Sequence, residues 1–108
     1  MNKISTEQEF QEYLNHPVFL LFKHSITCPI SAAAFEEYSK FSNSHPDVTT
    51  AYLAVQEARD LSQYVKDFSH VRHESPQAII FKNKEAVWSA SHGRITSRSL
   101  EEAIKEYQ

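Results

Sequence analysis

Apolar positions along this chain alternate between two rhythms, helical spacing and short unbroken runs. Phe10, Tyr13 and Leu14 fall at i, i+3 and i+4, which puts their side chains on one helical face. Ser5-Thr6-Glu7-Gln8 precedes them and reads as a capping box of Ser5 with Gln8, so a helix is predicted from about Ser5 to Asn15, ending ahead of Pro17. Val18-Phe19-Leu20-Leu21-Phe22 and Lys23 come next. A run of strand length without alternation predicts a strand covered on both faces. Pro29 suits the first position of a helix, where a missing N–H costs nothing. That helix is predicted to run to about Ser42 and to bury Ala33, Ala34, Tyr38 and Phe41.

Asn43-Ser44-His45-Pro46-Asp47 reads as a turn, and Val48 to Val55 as a second strand. Leu61, Tyr64, Val65 and Phe68 recur with helical period, which marks an amphipathic helix. Ser69 to Ser75 is polar. Pro76 then opens a third strand, Gln77 to Phe81, and a short turn leads to a fourth, Ala86 to Ala90. Two strands so closely joined pair as a hairpin. Leu100, Ala103, Ile104 and Tyr107 predict a last helix, capped by Thr96 or Ser97. The order α-β-α-β-α-β-β-α predicts an α/β fold. The first two strands lie parallel through a right-handed crossover, and the hairpin adds antiparallel strands. The result is a four-stranded mixed sheet with helices on both faces.

Composition narrows the picture. The 108 residues, 41% hydrophobic and 12% aromatic, suit a single domain over 1–108 with a real core. A single glycine argues against a glycine-rich phosphate loop. The formal net charge is -3, with lysines and arginines scattered, so no nucleic-acid footprint is present. The longest apolar run is Val18 to Phe22, far short of the ~18 residues that span a bilayer. The first residues turn acidic at once, without an apolar secretory region. A cytoplasmic location without membrane contact is the expectation, and a monomer.

Cys28 is the only cysteine, so no internal disulfide can form and the thiol stays free in a reducing compartment. It lies between the apolar run and the predicted helix. There the N–H groups of Ile30 and Ser31 are expected to point at its sulfur, and the helix start favours a thiolate. Lys23 and His24 lie just upstream and are candidates to add positive charge. The blander reading is a small buried thiol of no reactivity. The six histidines include a possible pair, His70 and His73. No four-ligand set with zinc-like spacing exists, so no metal is expected. Trp88 reads as a core or sheet-face residue.

Three features together resemble the thioredoxin-like superfamily: an apolar strand, a cysteine followed by proline at a helix start, and a proline opening a hairpin. More narrowly, Thr27-Cys28-Pro29-Ile30-Ser31 is similar to the active-site segment of the monothiol bacilliredoxins of C type, proteins of about this length in the bacillithiol redox system. The resemblance implies a thioredoxin-like fold over nearly the whole chain. Thioredoxins carry a second cysteine three positions after the first, and here that place is Ser31. Its hydroxyl is either a donor to the thiolate or an ordinary first-turn serine; in neither case can it resolve a mixed disulfide. Pro76 resembles the cis-proline of the superfamily, which implies that the backbone of Ser75 pairs with a substrate chain. Arg94, in a loop near the cysteine in such folds, is a candidate contact for an anionic small thiol, against the simpler reading of a solvated arginine.

What the resemblance implies is a monothiol thiol-disulfide oxidoreductase. Cys28 would attack S-bacillithiolated client proteins, take bacillithiol as its own mixed disulfide and be released by a second low-molecular-weight thiol. Thr27, Pro29, Ser31, Ser75 and Pro76 would line the substrate site. No bound cofactor is implied; bacillithiol is a co-substrate. The alternatives are a non-catalytic binding or adaptor module with a redox-responsive cysteine, and a glutathione-type monothiol reductase.

Overall fold

The computed structural model describes all 108 residues. A two-residue strand β1 (Asn2–Lys3) precedes helix α1 (Glu7–Tyr13), the central strand β2 (Val18–His24) and the long helix α2 (Pro29–Ser44). Strand β3 (Thr49–Ala54), helix α3 (Arg59–Ser69) and the hairpin β4 (Gln77–Lys82) and β5 (Glu85–Ser91) follow. A 3-10 turn (His92–Arg94) leads to helix α4 (Ser97–Tyr107). The sheet runs β1-β3-β2-β4-β5. Strand β2 is parallel to β3 and antiparallel to β4.

The sheet thus has five strands where four were predicted. The added one is β1, which pairs parallel with β3 and has both residues exposed. A pair of polar, solvent-facing residues carries no periodicity to read. The first capping box is also displaced by one residue. Thr6 and Glu9 cap α1, with Glu9 N–H donating to Thr6 Oγ1 at 3.1 Å and Glu9 Oε1 accepting from Thr6 N–H at 3.1 Å. The carboxylate of Glu9 is a stronger acceptor than the amide of Gln8, and it also takes the N–H of Ser5 at 2.9 Å.

Strand β2 is buried along its whole middle because each face meets helices. Phe19 and Leu21 join Phe10, Leu14, Leu61 and Val65 on the side of α1 and α3. Leu20 and Phe22 join Ala34, Tyr38, Phe41, Leu100 and Ile104 on the side of α2 and α4. Ala33 is exposed, not buried as expected. At 100° per residue the face holding Ala34, Tyr38 and Phe41 turns it outward. Tyr38 ties α2 to the sheet: its buried hydroxyl donates toward the carbonyls of Leu20 at 2.9 Å and Ala51 at 2.7 Å. The hairpin turns through Asn83 and Lys84, both with positive φ, the conformation a tight two-residue turn requires. No helix is long and apolar enough to cross a membrane.

Candidate active site

Four backbone segments converge at the carboxyl end of β2. Chain alternation sends Lys23 and His24 from that end to opposite faces of the sheet. The loop Ser25-Ile26-Thr27 then leads into Cys28, which is the N-cap residue of α2 with extended backbone (φ -106°, ψ 121°) and Pro29 in the first turn. Its side chain is partly exposed. One expectation needs correction here: the sulfur makes no capping hydrogen bond, so the N–H groups of Ile30 and Ser31 are not engaged by it. A neutral thiol is a weak acceptor, unlike the hydroxyl or carboxylate that usually holds this position.

Ser31 is fully buried. Its Oγ accepts the N–H of Ser25 at 2.9 Å and lies 2.8 Å from His24 Nδ1. The hydroxyl therefore pins the loop to the helix. His24 stacks on Phe35 with ring centroids 4.5 Å apart. Burial, and secondarily the charge of Lys3, lowers its pKa and favours the neutral ring. Lys23 is fully buried on the face of α1 and α3, donating from Nζ to Gln77 Oε1 at 3.1 Å. Burial pushes its pKa down to about 8, with Glu74 opposing and Lys66 reinforcing the shift. The His24 ring is thus held toward neutrality, while the Lys23 ammonium lies buried against Gln77 on the face of α1 and α3.

Gln56, which the sequence reading missed, clamps the loop. Its Nε2 donates to Ser25 Oγ at 2.9 Å and Thr27 Oγ1 at 3.2 Å, while its Oε1 accepts the N–H of Ile26 at 3.1 Å. No motif marks it, because the partners lie about thirty residues away. From the other side comes the Ser75–Pro76 bond, which is cis. Lys23 pairs with Gln77 in the antiparallel register, so Pro76 sits one position beyond, at the end of β2 where the loop begins. Pro76 is buried, and its carbonyl accepts the N–H of His92 at 3.1 Å. Arg94 is exposed, and the turn that carries it packs against α2. Its carbonyl accepts from Ser99 Oγ at 2.8 Å, and its guanidinium is in none of the ion pairs. Thr27 and Pro29 are exposed, and Ser75 is half-buried. His70 and His73 do not converge with other ligand-type side chains into a cluster of three.

A buried central strand feeding one partly exposed cysteine at a helix start, on a mixed sheet with helices on both faces, defines a thiol oxidoreductase of the thioredoxin fold. Solved structures agree. One described as a candidate oxidoreductase with a thioredoxin fold is 42% identical, with TM-score 0.88, covering 94% of this chain and 91% of that one. Thioredoxins from Plasmodium falciparum (13% identical) and Fasciola hepatica (14%) share the fold, each with TM-score 0.81 and full coverage of both chains. The profile of the monothiol bacilliredoxin BrxC family matches residues 2–100, and the chain belongs to that family.

Proposed function

We propose that this protein removes bacillithiol from S-bacillithiolated client proteins by monothiol exchange. The observation that carries the reading is a partly exposed Cys28 as the only thiol, with Ser31 buried where a resolving cysteine would stand. The Cys28 thiolate attacks the bacillithiol sulfur of the client's mixed disulfide. A Cys28–bacillithiol disulfide forms, and the client sulfur leaves with the electron pair and takes a proton from water. A second small thiol then attacks the bacillithiol sulfur on Cys28, giving a bacillithiol-containing disulfide and returning Cys28 as thiolate. Bacillithiol is a co-substrate, and no resident cofactor takes part.

The first-turn N–H groups of α2 support this reading, because they are donors available to anionic sulfur at that helix start. Ile26 and Ile30, 49% and 55% exposed, flank Cys28 in sequence and offer an apolar landing for a client chain, with the backbone of Ser75 as a pairing edge. A reducing cytoplasm and a monomeric protein suit the cycle.

The test is mass spectrometry on a client carrying one bacillithiol. The client is expected to lose that mass and Cys28 to gain it, with neither change in Cys28→Ser. Equal client release by Cys28→Ser would refute the proposal. Oxidation of Cys28 with no client release would favour the adaptor reading instead.

A further inference from the structure

A second feature lies behind the reactive loop. Val55 and Gln56, residues Arg59, Ser62 and Lys66 of α3, and His73 surround a surface depression of about 500 Å³. No aspartate or glutamate lines it, although the chain is net acidic. Arg59 and Lys66 take part in no ion pair. The ammonium of Lys23 is buried close by: it interacts with Lys66 and repels His73. Glu74 is the one carboxylate acting on both Lys23 and His73, and it does not line the depression. Like charges gathered in a concave wall focus a positive potential outward.

The same walls hold the reactive loop. Val55 N–H donates to the His24 carbonyl at 2.9 Å. Gln56 bonds Ser25, Ile26 and Thr27, the three residues before Cys28. Opposite them, His73 stands two residues before Ser75 and the cis-proline. The depression is therefore framed by the two segments that flank the reactive cysteine.

We infer that this depression seats the carboxylate-bearing part of the small thiol whose sulfur reacts at Cys28. The inference rests on the exchange reading above and supplies its missing recognition site. Arg59 and Lys66 pair with carboxylate oxygens, His73 provides a further donor, and Lys23 contributes charge from beneath. A bound anion also relieves the repulsion that, after burial, lowers the pKa of Lys23 and of His73. Bacillithiol and glutathione share the required chemistry, a thiol with carboxylates, whereas a neutral thiol does not.

The test uses Cys28→Ser, which has no nucleophile, titrated with bacillithiol disulfide, glutathione disulfide and neutral 2-hydroxyethyl disulfide, and followed by amide and histidine NMR signals. The carboxylate-bearing disulfides are expected to shift Gln56 and His73 and to bind less tightly as salt rises. The tighter of the two names the co-substrate. Adding Arg59→Ala and Lys66→Ala is expected to weaken that binding about tenfold. With Cys28 intact, the same pair should raise KM for a bacillithiolated client about tenfold and leave a client carrying 2-mercaptoethanol unaffected. If the double variant fails to fold, Lys66→Gln alone, at an exposed position, is read the same way. Binding that ignores charge, or a neutral disulfide that binds equally well, overturns the inference. Charge-independent binding with normal exchange sinks this site alone. Charge-dependent binding without exchange sinks the exchange reading and leaves the site standing.

Discussion

Ser31 Oγ and His24 Nδ1 lie 2.8 Å apart, so the residue in the resolving-cysteine position has become part of the scaffold. It joins the end of the central strand to the first turn of α2, and the sulfur of Cys28 is left outside this bond. A monothiol site therefore keeps a structural use for the position that two-cysteine relatives spend on chemistry.

Ser31→Ala removes the acceptor for Ser25 N–H and the partner of His24. A loss of about 1 kcal/mol is expected from two partly buried polar groups left unpaired. Urea denaturation at neutral pH measures it. A change below a few tenths would show that solvent replaces the hydroxyl without penalty.

The partly buried His24 ring is expected to titrate with a midpoint below 6.5, the ordinary histidine value. The folded pKa is depressed, so the associated stability is present above 6.5 and is lost as pH falls through the folded value. NMR titration of its ring protons reads the midpoint directly, and an elevated midpoint would contradict the burial argument.

Lys23 should make stability depend on alkaline pH. Its pKa is pushed down from 10.5 to about 8, so the unfolded chain binds the extra proton between these values. The contribution is present above 10.5 and is lost as pH falls through about 8. Lys23→Met abolishes this dependence but leaves Gln77 Oε1 without its donor, so its stability relative to the unmodified protein is expected to be roughly 2 kcal/mol more favourable at pH 7 than at pH 10. Parallel unfolding curves at both pH values test this; a constant gap would show that charge is not the cause.

Gln56→Ala should free the loop before the cysteine. The Ile26 amide loses its acceptor, and its hydrogen exchange is expected to accelerate about tenfold, while core amides of β2 keep their protection. Unchanged Ile26 exchange would mean that the loop is held by other contacts.

Periodicity and punctuation carried the local structure a long way. The unbroken run Val18–Phe22 announced a strand covered on both sides, and it lies at the sheet centre with Phe19 and Leu21 facing one core and Leu20 and Phe22 the other. The helical spacing of Leu61 to Phe68, the hairpin after Pro76 and the helix start at Pro29 followed from equally local rules. So did the place of the lone Cys28 at that start. These are legible because side-chain direction repeats with backbone geometry, every 3.6 residues or every two.

Strand β1 escaped because its existence depends on a pairing with Ala51 and Tyr52, not on its own residues. Whether Lys23 and His24 face the cysteine, what occupies the Ser31 hydroxyl, and that Gln56 grips Ser25, Ile26 and Thr27 were decided in three dimensions. Such bonds depend on which surfaces the packed sheet and helices bring together, and a linear chain holds no record of distances between residues about thirty positions apart. Sequence alone thus determined every element but β1 and the place of the lone cysteine at the start of α2, whereas tertiary structure decided what surrounds it.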